Sequence, residues 1–286
     1  MKKAASFLIL FIVPIICFSQ KDIFDTLAIK QNWPEFAIGS VIEKNLESKY
    51  IQETYDIYIY LPPSYYHTDK TYPLLVLTDA FHAFGIAENC SNLMLSSGEI
   101  PEIIIVGIGF KEYNTIEFVR KRMRDLAYAG TERYKQYSQV ESFYRFVSDE
   151  LMPMIEEEYR IDESNKTFNG FSAGANFGIY LLIKHPDLFK NYILGSPGFW
   201  WDNRSLLQMS QNSLPTWSPK NETRIYTFVG EFDMSNDWKN FKSILQKNGS
   251  DKLEVKYQLY KGASHTNVFP QAFPNALLYI YNNPKD

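Results

Sequence analysis

The chain has 286 residues, enough for one large domain with a substantial core, and its 45% apolar, 22% charged composition is that of an ordinary globular protein. A formal net charge of -4 offers nucleic acid no basic surface to bind. Of the two cysteines, Cys17 falls in a leader-like segment and leaves Cys90 alone, so no disulfide framework, cysteine zinc site or C-x-x-C redox pair can form.

Lys2 and Lys3 precede an apolar stretch over residues 7–18, the layout of an export signal. The stretch is short of the roughly 20 apolar residues that span a membrane, so no membrane span is expected. Small residues at Cys17 and Ser19 place a cleavage before Gln20. Residues 1–19 are therefore read as a signal peptide and 20–286 as a single domain of an exported, periplasmic or secreted protein. Lipidation of Cys17 is the competing reading, and the bulky Ile16 before it speaks against a lipobox.

Next in chain order, residues 38–47 and 54–61 alternate or run apolar, as in two antiparallel strands, and Pro62-Pro63 ends the second. The pattern then changes to buried strands at 72–77, 103–108, 165–169, 191–194, 224–229 and 253–260. Helical patterns lie between them at 86–94, 141–159, 173–184, 236–247 and 269–281. β-Branched runs alternating with helices predict an α/β domain with a mostly parallel central sheet, antiparallel N-terminal strands and helices on both faces. Such sheets bind ligands beyond the carboxyl ends of their strands.

The most informative segment is Gly170-Phe171-Ser172-Ala173-Gly174, a G-x-S-x-G pattern between a strand and a helix. A strained turn there exposes the serine hydroxyl, and the flanking glycines let strand and helix approach without a Cβ clash. A serine hydroxyl needs a base, and the base needs an orienting acid. Of the four histidines, His67 lies in a polar turn, His82 follows an early strand and His185 closes the elbow helix, while His265 follows the last strand. The acid is expected between serine and histidine, where Gly230-Glu231-Phe232-Asp233 and Asp237 supply three carboxylates. Asp233 is preferred, with Glu231 and Asp237 as alternatives. The backbone N–H of Ala173 and that of Phe81, with Ala80 as fallback, would bind the developing oxyanion.

Beyond the first twenty or so mature residues, the chain resembles the esterase family of α/β-hydrolases that includes enterobactin and bacillibactin esterases, feruloyl esterases, S-formylglutathione hydrolases and mycolyltransferases. The resemblance rests on Tyr72-Pro73-Leu74-Leu75-Val76-Leu77-Thr78-Asp79-Ala80, the helix at 146–159, and the elbow with His185-Pro186-Asp187-Leu188-Phe189. It continues through Ser196-Pro197-Gly198-Phe199-Trp200-Trp201, Gly230 to Asp233, and Gly262 to Val268. Arg122-Met123-Arg124-Asp125-Leu126 is similar to a segment of the siderophore-esterase branch. The chain departs from the family at Ala80, at Ala175 and in Ser138-Gln139-Val140-Glu141, where glycines are usual; fold and triad are unaffected and the substrate stays open. The resemblance implies the α/β-hydrolase fold and a serine carboxylic ester hydrolase without metal or organic cofactor.

Residues 60–66, the 110–137 segment and Trp200-Trp201 are expected to border the site. The 110–137 stretch interleaves aromatic residues with Arg122, Arg124 and other cations, so it is either a solvated loop or a basic, aromatic rim suited to an anionic siderophore. The expected partner is a small-molecule or glycan-linked ester. An acyltransferase, a feruloyl or acetyl-carbohydrate esterase, and a non-catalytic glycan- or siderophore-binding module are the alternatives.

Overall fold

The computed structural model describes residues 41–110 and 115–282, so the expected signal peptide and the Lys111 to Asn114 part of the rim lie outside the described residues. Strands β1 (Val41–Glu47) and β2 (Thr54–Tyr60) pair antiparallel. They are followed by β3 (Tyr72–Thr78), β4 (Ile104–Phe110), β5 (Ile161–Phe171), β6 (Asn191–Gly195), β7 (Thr223–Gly230) and β8 (Leu253–Tyr260). All join one eight-stranded sheet in the order β1-β2-β4-β3-β5-β6-β7-β8. β2 runs antiparallel to β4, and every pairing from β4 to β8 is parallel.

The α-helices of seven or more residues are α1 (Ala80–Ser96), α2 (Ile116–Leu126), α3 (Val140–Phe146), α4 (Met152–Glu158), α5 (Ala173–Lys184), α6 (Ser205–Ser213), α7 (Asn236–Gln246) and α8 (Val268–Tyr281). Because side chains alternate across a strand, each central strand feeds two cores. Leu74, Val76, Ile104 and Val106 pack with Phe143, Phe146, Phe177 and Phe241, drawn from α3, α5 and α7. Leu75, Leu77 and Ile105 face the other way, onto Ala87 of α1 and Phe273 and Leu277 of α8. Fully burying one such Phe or Leu is worth about 2 kcal/mol.

Three departures from the sequence expectation have physical causes. α1 starts at Ala80 rather than 86, directly after Asp79, which takes a left-handed φ of 57° and caps no helical N–H with its side chain. The expected helix at 141–159 is interrupted by a π-turn at Val147–Leu151. Pro153 has no N–H and its ring crowds the preceding turn, which the wider turn accommodates. α2 was not anticipated as a helix; Thr115 caps it by accepting from the Phe118 N–H at 3.0 Å.

Candidate active site

The elbow is built as its glycines require. Ser172 sits between β5 and α5 at φ 58°, ψ -115°, a region that costs a non-glycine residue about 1–3 kcal/mol. A Cβ on Gly170 would lie 2.1 Å from the Gly174 carbonyl oxygen, and one on Gly174 would lie 2.3 Å from Thr78 Oγ1. The Ser172 N–H donates to the Gly195 carbonyl at 2.9 Å, and its own carbonyl accepts from Asn176 N–H at 3.2 Å. These bonds hold the strained residue from both sides. Ser172 is partly exposed rather than fully open.

The three candidate acids part company. Asp233 Oδ2 lies 2.7 Å from His265 Nδ1. Glu231 accepts from the Gly262 N–H at 2.7 Å, tying the acid's turn to the histidine loop. Asp237, in the first turn of α7, accepts from Arg204 Nε at 2.8 Å. A carboxylate only accepts, so the imidazole donates from Nδ1 and leaves Nε2 as the nitrogen able to take a proton. The His265 ring lies 5.0 Å from that of Phe171, the residue before Ser172.

Ala173 is the first residue of α5 and Phe81 the second of α1, so both N–H groups belong to first turns that have no acceptor within their own helix. The Gly174–Thr78 approach brings these two helix starts together at the end of β3. The Phe81 side chain is about half exposed beside His82.

A pocket of about 470 Å³ opens over Ser172 and His265. Its walls are mostly apolar, with Ile86 of α1, Phe118 and Val119 of α2, Phe171, and Phe269 of α8. His82, Asp79 and Thr266 complete it. Phe118 and Val119 belong to the 110–137 segment expected to border the site, whereas Ile86, His82, Thr266 and Phe269 carry no such expectation; the helical form of α2 was signalled by the Thr115 cap and by Ile116, Val119, Met123 and Leu126 at helical spacing.

The predicted substrate-binding residues separate. Arg122 lines the pocket, but its guanidinium grips Asp79 with Nε to Oδ1 at 2.6 Å and Nη2 to Oδ2 at 2.7 Å, and Nη2 also donates to the Phe171 carbonyl at 3.1 Å. Burial disfavours the charged guanidinium, yet the Asp79 carboxylate outweighs it and holds the group above its ordinary pKa. Arg124 is placed elsewhere, bonded to Asp125 at 2.7 Å and Glu53 at 3.0 Å. Asp125 is fully buried, accepts from Tyr55 as well, and is pushed up by that burial despite both donors. Arg120 pairs with Glu117 and Lys121 with Glu53, so the cations of α2 all face carboxylates.

Trp200 is 70% exposed and edges a smaller cavity that includes Asp233 and His265, whereas Trp201 packs at 5.2 Å on Tyr134. Residues 60–66 do not border the site. β2 runs against β4, so its end lies at the amino ends of the parallel strands, where Tyr65 meets Arg160 just before β5. Among the described residues, no group of three or more His, Cys, Asp or Glu side chains is placed to hold a metal, and no helix is long and apolar enough to cross a membrane.

A strained serine after a parallel strand, a histidine–carboxylate pair after the last strands and helix starts beneath define a hydrolase-type α/β site. Residues 48–279 match the model of the family called Esterase, described as "Putative esterase", and the chain belongs to that family and is a carboxylic ester hydrolase. It is similar to the ferri-bacillibactin esterase BesA of Bacillus subtilis (strain 168), at 25% identity over 85% of this chain and 90% of that protein. Among solved structures it resembles the BES protein from Bacillus cereus, with a TM-score of 0.76 and 22% identity over 88% of this chain and 100% of that one. The siderophore hydrolase EstB from Aspergillus nidulans matches with a TM-score of 0.73 and 18% identity, over 88% of this chain and 98% of that one.

Proposed function

We propose that Ser172 is the nucleophile of this esterase, His265 its proton shuttle and Asp233 the acid that orients His265. The observation that carries this reading is the 2.7 Å bond from Asp233 to His265, a histidine that lines the same pocket as the strained Ser172. Ser172 Oγ bonds the acyl carbon while its proton passes to His265 Nε2. The ester C–O bond then breaks, and His265 returns the proton to the departing alkoxy oxygen. Water repeats the sequence to release the acid. The N–H groups of Ala173 and Phe81 stabilise the oxyanion, each worth about 3 kcal/mol in the barrier.

The apolar pocket takes the acyl part. Its one guanidinium is matched by Asp79, so the walls favour an aromatic or aliphatic group over a strongly anionic one. Relatives named for siderophores make a siderophore ester the first natural substrate to try. Lys2, Lys3 and the apolar residues after them support export with cleavage before Gln20, which intact mass of the exported protein tests: a lipid adduct on Cys17 overturns it.

Hydrolysis of p-nitrophenyl butyrate by the wild type and Ser172→Ala, with fluorophosphonate labelling, tests the nucleophile. Turnover and label that both vanish in the variant support it. Equal rates in the two proteins overturn it, and ligand binding without any label would favour a binding module.

A further inference from the structure

His265 is shared by two cavities. One is the apolar pocket reaching Ser172; the other, of about 110 Å³, is lined by the loop after β6, which begins next to the Gly195 that accepts from Ser172 N–H, and by the start of α7. The smaller one is walled by Ser196, Trp200, Val229, Asp233 and Trp238 together with His265. Two polar atoms on its lining residues are buried without a hydrogen-bond partner among the described residues: Ser196 Oγ, on a residue 3% exposed, and Trp238 Nε1, on one 6% exposed. Buried polar groups in folded proteins are nearly always paired, so two orphans on the walls of one cavity beside His265 point to a ligand's polar groups there.

The walls choose the chemistry. An indole N–H only donates, so an ammonium group cannot satisfy it. Asp233 opposes an anion, and Asp237 beside it is already engaged by Arg204. A hydroxyl both accepts from Trp238 and donates to Ser196 or Asp233 through one small atom. Trp200 at the edge adds an exposed ring face of the kind that packs against a sugar or polyol.

We propose that this cavity is the alcohol-side subsite, and that the ester's alcohol carries a further free hydroxyl close to the ester oxygen, as a glyceryl or sugar ester does. The proposal rests on the Ser172 reading and is independent of the acyl group. When the C–O bond breaks and His265 protonates the alkoxy oxygen, the neighbouring hydroxyl stays bound to Trp238 and Ser196.

The test compares glyceryl monobutyrate with propyl butyrate, which share the acyl group and the carbon count of the alcohol, on the full chain. The expected wild-type kcat/KM favours the glyceryl ester by about tenfold, and Trp238→Phe and Ser196→Ala each bring that ratio towards one. Because the readout is a ratio on one preparation, partial misfolding cancels. Cleavage of p-nitrophenyl butyrate with no glyceryl preference in the wild type overturns the subsite alone. An unchanged alcohol ratio with an altered acyl-length preference in both variants overturns it by giving the cavity to the acyl side. A wild type that cleaves no ester and takes no fluorophosphonate removes the Ser172 reading, and the subsite with it.

Discussion

The two ends of the sheet carry cavities of nearly equal size and opposite character. At the carboxyl end the pocket over Ser172 is about 470 Å³ and mostly apolar; at the amino end one of about 410 Å³ is lined by Glu163, Lys166, Lys190, Lys220 and Glu222 among others. The backbone differs as well. Asp79, Ser172 and Ser196, each just after a parallel strand, and Asp202, Asn203 and Arg204 beyond β6 all take positive φ without being glycine. The connections at the amino end contain none among the described residues, and there the positive φ falls on Gly98. Volume therefore does not distinguish a site from a crevice. Positive φ alone does not either, since Gln52 in the turn between β1 and β2 shares it; a strained residue held by surrounding bonds inside a pocket, as Ser172 is, does, because such a conformation persists only where its surroundings over-determine it.

Substitutions can break that contrast. The largest effect belongs to Asp233→Asn, expected to lower kcat about ten-thousandfold while leaving the fold intact, measured by steady-state kinetics beside circular dichroism. A loss of only a few-fold would move the acid elsewhere. Arg122→Met should destabilise the chain by about 3 kcal/mol in urea unfolding, since it strands the buried Asp79 carboxylate. The double variant Arg122→Met/Asp79→Asn should recover part of that loss, and failure to do so would mean the pair is not coupled.

Phe118→Ala enlarges the acyl pocket and should shift preference about tenfold towards longer or bulkier acyl groups in a p-nitrophenyl ester series. The smallest stability effect lies on α1. Glu88 is 3% exposed, and burial raises its carboxyl above the ordinary 4.5 although Asn92 donates to it. Protonation is thus favoured in the folded state, so its contribution is full below the unfolded pKa and is lost as pH rises through the folded one. Glu88→Gln should raise the thermal midpoint by about 2 °C at pH 7, with the gain disappearing towards pH 4. Lys220→Ala at the amino-end cavity should leave ester turnover unchanged; a marked loss there would undo the contrast between the two ends.

The sheet was legible in the sequence because buried parallel strands are short continuous apolar runs, and the elbow because its G-x-S-x-G spacing is compact, Gly170 being demanded by a clash within the motif and Gly174 by the approach of Thr78. The loop placing His265 could be found from its position after the last strand. Asp233 is the preferred acid in the sequence too, but Glu231 and Asp237 stay open there, since three carboxylates lie within seven residues and only the folded turn separates them. α2 was obscured by its four cations, whose partners are Glu117 and Asp125 on the helix itself and, from far away in the chain, Asp79 just after β3 and Glu53 just before β2. The orphaned Ser196 and Trp238 atoms are invisible in sequence for the same reason: an absent partner is a property of three-dimensional neighbours.

Arg122 joins α2, the end of β3 and the carbonyl before Ser172 in one fork. The helix that roofs the acyl pocket is thereby fastened to the reactive turn by backbone and charge, while Phe118 and Val119 hang from it as replaceable linings. A descendant of this protein can exchange those linings one at a time and cleave a different ester without having to rebuild the machinery that cleaves.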